Sequence, residues 1–129
     1  MPDDKKLGPL FDGINVPKDK SNLTDLEKKH LPVITAPDTV RAGECFEVVV
    51  EIGKLLQHPN EAGHFIEFIE LYAGHAYLAH LDLIAVRTCP VLKVCVSLEK
   101  DFGPLRAFAR CNMHGVWEAQ RAITLKSGA

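Results

Sequence analysis

Apolar positions are scattered without period over residues 1–29, where Pro2, Gly8, Pro9, Gly13 and Pro17 interrupt any regular spacing. That stretch predicts an extended N-terminal arm, with room for one short helical turn over 22–29. From Pro32 onward the pattern changes to a period of two. Residues 44–52 (ECFEVVVEI) alternate, are rich in β-branched side chains and are bounded by Gly43 and Gly53. Over 65–72 (FIEFIELY), alternation places Phe65, Glu67, Ile69 and Leu71 on one face and Ile66, Phe68, Glu70 and Tyr72 on the other. The same apolar residues also fit a helical period. Further strand-like runs follow at 76–86, 91–98, 105–111 and 117–125, separated by turn signals at Gly74, Pro90, 101–104 and Gly115. About seven short strands at these intervals predict an all-β sandwich.

The 129 residues suffice for one domain spanning the whole chain, 1–129, with 47% hydrophobic and 25% charged residues, as in soluble globular proteins. A net charge of −2 argues against nucleic acid as a partner, since phosphate neutralisation calls for a basic excess. No apolar run approaches the roughly 20 residues that cross a bilayer. The first residues, MPDDKKLGPLFDG, carry no apolar core of a secretory signal. A cytoplasmic location is therefore expected. Cys45, Cys89, Cys95 and Cys111 form no CxxC pair, which argues against a zinc ribbon or a four-cysteine iron centre. Reduced thiols are expected, with Cys45, Cys89 and Cys95 read as small core residues.

Candidate chemistry concentrates in three places. Cys111-Asn-Met-His114 sits where a strand gives way to the Gly115 turn, so a soft thiolate and a borderline imidazole can converge on iron, copper or zinc. His58-Pro-Asn-Glu-Ala-Gly-His64 brackets a loop with two histidines just ahead of a strand. Lys29-His30-Leu31-Pro32 joins the arm to the first strand, and Pro32 favours extended backbone at Leu31, against a helix running through this site. His75, at the Gly74 turn, and His80, expected to face solvent within a strand, read as ordinary surface histidines. Four histidines and one cysteine exceed a tetrahedral zinc site. They suit a five-coordinate ion with one open position, where a thiolate pushes electron density toward a bound small molecule.

The segments EKKHLPVI (27–34), HPNEAGHFIEFIELY (58–72) and CNMHGVWE (111–118) resemble the superoxide reductases, the family of neelaredoxin and desulfoferrodoxin. The resemblance covers about 27–118. It implies an immunoglobulin-like β-sandwich and a mononuclear non-haem iron (Fe2+/Fe3+), with His30, His58, His64 and His114 around the metal and Cys111 on its axis. With no cysteine before Cys45, the chain resembles the one-iron neelaredoxin type. The implied reaction joins superoxide, one electron and two protons into hydrogen peroxide. Implied partners are superoxide and a rubredoxin-like electron donor, and the implied assembly is a homotetramer.

Lys29 matches the family's active-site lysine, a cation that would focus the anion. The family's Glu-Lys-His pattern is altered, because Lys28 stands two residues before His30 and the glutamate is Glu27. Either Glu27 reaches the oxidised iron as its sixth ligand or water or hydroxide takes that position. Two other readings compete. A blue-copper electron carrier would use two histidines, a cysteine and a methionine beyond the second histidine, and no methionine follows His114. A noncatalytic binding sandwich would leave the three clusters unexplained.

Overall fold

The computed structural model describes residues 13–128. The first part of the arm, residues 1–12, lies outside the described residues. Ten strands and one helix follow in chain order: β1 (Ile14–Asn15), α1 (Asp25–His30), β2 (Val33–Thr35), β3 (Thr39–Arg41), β4 (Phe46–Glu51), β5 (Ile66–Ala73), β6 (Ala76–Asp82), β7 (Val91–Val96), β8 (Leu105–Cys111), β9 (Gly115–Arg121) and β10 (Thr124–Lys126). The all-β expectation is met. Six strands, β4 to β9, are six to eight residues long, and the count rises to ten through two- and three-residue pieces: β1, β2, β3 and β10.

One sheet has the order β1-β9-β8-β5-β6, a second β2-β4-β7, and β10 pairs with β3. Between the two larger sheets lies the core, where Val48 and Val50 from β4 and Leu92 and Val96 from β7 join Ile69 and Leu71 from β5 and Leu105, Ala107 and Ala109 from β8. Each strand contributes every second residue, as period-two packing of one buried face requires. The arm is tied down before the helix begins. β1 runs parallel to β9, and the Asn15 side chain donates to Val116 O at 2.9 Å.

Three expectations are corrected. Strict alternation over 65–72 fails, because Ile66 is buried on the same side as Ile69 and Leu71. The cause is an extra residue: Ile66 pairs with Cys111 and Phe68 with Arg110, leaving Glu67 unpaired in the ladder to β8. An inserted residue turns the strand and resets its parity. Cys45, Cys89 and Cys95 are exposed rather than in the core. Cys95 shares its parity in β7 with exposed Lys93 while Leu92 and Val96 point inward, and Cys45 and Cys89 lie outside the strands. Finally, a helix does reach the first histidine. α1 includes His30 and stops there, Leu31 being extended at φ −68°, ψ 126° as the following proline demands.

Candidate metal centre

One end of the sandwich gathers four chain segments: the C-terminus of α1, the loop between β4 and β5, the entry to β5, and the β8–β9 turn. Each carries one or two of the histidines and the cysteine singled out by the sequence. Ring centroids run 4.7 Å from His30 to His58, 4.8 Å from His58 to His64, 5.1 Å from His64 to His114 and 4.9 Å from His114 back to His30. The four imidazoles therefore close a ring, each steeply inclined to its neighbours, at 61° to 81°. Ligand atoms of His30, His58, His64 and Cys111 all lie within 4.8 Å of one another. His114 joins through its Nδ1, which is 3.7 Å from Cys111 Sγ.

The local folding explains the convergence. α1 opens with a capping box in which Thr24 Oγ1 accepts from Glu27 N and Glu27 Oε1 accepts from Thr24 N. Within the helix, His30 Nδ1 lies 2.7 Å from Leu26 O, so Nδ1 carries the proton and donates. His58 Nδ1 meets Pro59 O at 2.6 Å in the same manner. These contacts fix the tautomer that leaves Nε2 as a lone-pair donor. Nε2 of His30, His58 and His64 are buried and find no hydrogen-bond partner among the described residues. Buried polar atoms are normally paired, so three unpaired ring nitrogens meeting beside a thiol are a candidate site for a cation.

Electrostatics agrees. Burial pushes His30 down to about 4, with the neighbouring histidines adding to the effect against its Leu26 hydrogen bond. Burial also lowers His58, with contributions from His64, His114 and Lys29, and lowers His114, with contributions from His64 and Lys29. All three are thus neutral, ligand-competent imidazoles near neutral pH. Burial raises the Cys111 thiol, so the thiolate a metal needs would form on binding.

Lys29 is half-buried, and its charge bears on both His58 and His114, which places it beside the ring. Glu27 is 6% exposed, and both of its carboxylate oxygens are engaged, Oε1 by Thr24 N at 2.9 Å and Oε2 by Lys18 N at 3.1 Å. His75 and His80 lie outside the cluster. His80 is exposed on β6 and bridges Glu70 and Asp82 at 2.9 and 2.7 Å.

Sequence reasoning missed three residues that shape the site. Asn112 Oδ1 accepts from Phe65 N at 2.9 Å and its Nδ2 donates to Gly63 O at 3.0 Å, locking the Cys111–His114 turn to the His64 loop. Trp117, 3% exposed, stacks on His30 at 5.0 Å and donates from Nε1 to His114 O at 3.0 Å. Asn60 holds the neighbouring loop through Val86 N and Thr88 O. Each lies inside or beside a segment already quoted, yet nothing in residue type marks an amide or an indole as a ligand's support.

The chain is similar to known proteins over most of its length. A profile of the Desulfoferrodoxin family matches residues 22–120. A Methanocaldococcus jannaschii relative that bears the superoxide reductase name is 45% identical over 106 residues, covering 80% of this chain and 89% of its own. The Pyrococcus furiosus superoxide reductase is 34% identical over 117 residues, covering 77% and 90%. Among solved structures, a superoxide reductase (neelaredoxin) from Ignicoccus hospitalis superimposes with a TM-score of 0.76 at 33% identity, covering 88% of this chain and 95% of that one.

Proposed function

The chain belongs to the desulfoferrodoxin family, and from that premise we propose that it reduces superoxide to hydrogen peroxide at a single non-haem iron held by His30, His58, His64, His114 and Cys111. It is an oxidoreductase, a superoxide reductase, and iron is the metal that the family and the His/Cys cluster indicate. The observation that carries the site assignment is the trio of buried, unpartnered Nε2 atoms facing one another and the Cys111 sulfur. Four imidazoles with one thiolate fit iron by number and by donor type. Bound iron would supply the one-electron couple that the reaction needs.

The residues do the rest. Leu26 O and Pro59 O hold His30 and His58 in the donor tautomer. Trp117 covers His30 and anchors His114, so the cluster is shaped before the metal arrives. Lys29 places a cation beside the ring, where it would draw in the superoxide anion and favour negative charge at the open side of the site. The electrons are proposed to come from a rubredoxin-like carrier. A cytoplasmic homotetramer is the corresponding proposal for location and assembly. No helix among the described residues is long and apolar enough to cross a membrane.

Protein purified from its native host should contain about one iron per chain. In pulse-radiolysis or stopped-flow assays it should form about one peroxide per superoxide consumed, sustained beyond the first turnover only while a reductant is present. Oxygen released in step with superoxide loss would instead mean dismutation and would overturn the reading. Lys29→Ala should slow the reaction with superoxide roughly tenfold at low salt and weaken its salt dependence.

A further inference from the structure

The geometry points to Glu27 as a positioning residue that sets His30 through α1, and not as a ligand of the iron. This inference rests on the proposed iron site. Glu27 is bonded at both ends of a six-residue helix. Its side chain takes the amides of Thr24, at the N-cap, and Lys18, in the arm. Its backbone carbonyl takes the amide of Leu31 at 2.8 Å, immediately after His30. The side chain thus closes the first turn of the helix and ties it to the arm, while the bond to Leu31 is the backbone's ordinary last i→i−4 contact.

Its carboxylate is bonded to the helix terminus opposite His30, and six residues of helix rise about 9 Å. Both oxygens already accept from backbone amides, and the group is nearly inaccessible at 6% exposure. To reach the metal, Glu27 would have to leave the Thr24 and Lys18 amides unpaired and open the turn that carries Leu26 O, the partner of His30 Nδ1. Lys28, the residue two before His30, carries a cation and supplies no carboxylate. Neither Glu27 nor residue 28 therefore offers a carboxylate to the position facing superoxide, and oxidised iron bound there would take water, hydroxide or an added small anion in place of Glu27.

The test uses two variants of the full chain. Glutamine also completes a capping box but offers no carboxylate, so Glu27→Gln keeps the Thr24 bond while removing any carboxylate ligand. Glu27→Ala removes both. The first readout is uptake of Co2+ by metal-free protein. Glu27→Ala should weaken it roughly tenfold, the size of effect expected when a ligand's support is lost, and Glu27→Gln should restore most of it. The second readout is azide titration of the oxidised iron protein, followed by its thiolate-to-iron absorption band. Wild type should bind azide readily, with Glu27→Gln matching it within about twofold, since nothing is displaced. A wild-type centre that resists azide, with a tenfold or greater gain in Glu27→Gln, would make Glu27 the sixth ligand and overturn the inference. If the oxidised wild type lacks a band that Cys111→Ser abolishes, the iron-site reading itself fails and takes the inference with it. Since Glu27→Gln retains the cap, a folding failure of Glu27→Ala leaves the azide comparison decisive.

Discussion

Asn112 joins two ligand-bearing loops with one side chain, accepting from Phe65 N and donating to Gly63 O. Removing it leaves an amide and a carbonyl without their partners at the place where Cys111 and His64 must meet. Asn112→Ala should cost about 1–3 kcal/mol in urea denaturation of the metal-free protein and lower Co2+ affinity about tenfold. A loss of stability with unchanged Co2+ affinity would show that the loops find their positions without it. Trp117→Phe makes a complementary case, retaining an aromatic face for His30 while losing the bond to His114 O. At this scale the convergence of the candidate ligands was legible, because histidine and cysteine beside turns have few other reasons to cluster. Their supports were not: Asn112 and Trp117 act through geometry that only the folded β8–β9 turn creates. Glu27 shows the opposite difficulty. The family's Glu-Lys-His pattern raised it as a sixth ligand, while the Thr-x-x-Glu spacing from Thr24 to Glu27 already spelled the capping box it forms.

Strands were legible wherever polar and apolar residues alternated, as in β4, where Val48 and Val50 are fully buried. Parity failed in β5 because alternation assumes an uninterrupted ladder, and Glu67 inserts one residue into the pairing with β8. The insertion sits between Ile66, opposite Cys111, and Phe68, opposite Arg110, so the strand is re-aimed beside Cys111 and the candidate ligands. Cys95 was misplaced for a different reason: free cysteine is usually buried, but Lys93 marks its face of β7 as the outward one. Thiol labelling of the native metal-free protein should accordingly find Cys45, Cys89 and Cys95 fast and Cys111 protected until the fold opens. Four equally slow thiols would contradict the exposed face of β7. The β5–β6 hairpin offers a harsher test. Gly74 has φ +55°, and a Cβ there would come within 1.8 Å of Phe102 O, backbone that cannot step aside. Gly74→Ala should therefore destabilise the protein by more than about 2 kcal/mol, read from the urea midpoint.

For the molecule as a whole, stability and metal binding are linked through protons. A histidine lowered by burial binds its proton more weakly in the fold than in the unfolded chain. Between the folded and unfolded values the unfolded chain holds more protons, so stability rises with pH across that window and is lost as pH falls. For His30 the window runs from the ordinary 6.5 down to about 4, worth about 3 kcal/mol at most. His58 and His114 shift in the same direction and add to it. His80 opposes them: Asp82 and Glu70 raise it, so its contribution is present below 6.5 and fades as pH rises through its folded value. Because that pair network is exposed, its effect is small. The metal-free protein should thus hold a steady melting temperature above pH 6.5 and lose it progressively toward pH 4. His80→Gln should leave that acid limb in place. Metal enters the same balance from the other side, since it binds the neutral imidazoles and the thiolate of the folded state and stabilises that state by mass action. Burial keeps the Cys111 thiol protonated in the metal-free protein. Loading at pH 7.5 should therefore release close to one proton per metal, measurable with a pH indicator in weak buffer, and Cys111→Ser should abolish most of that release. Release unchanged in Cys111→Ser would mean that the proton comes from the histidines, and that burial does not hold them neutral.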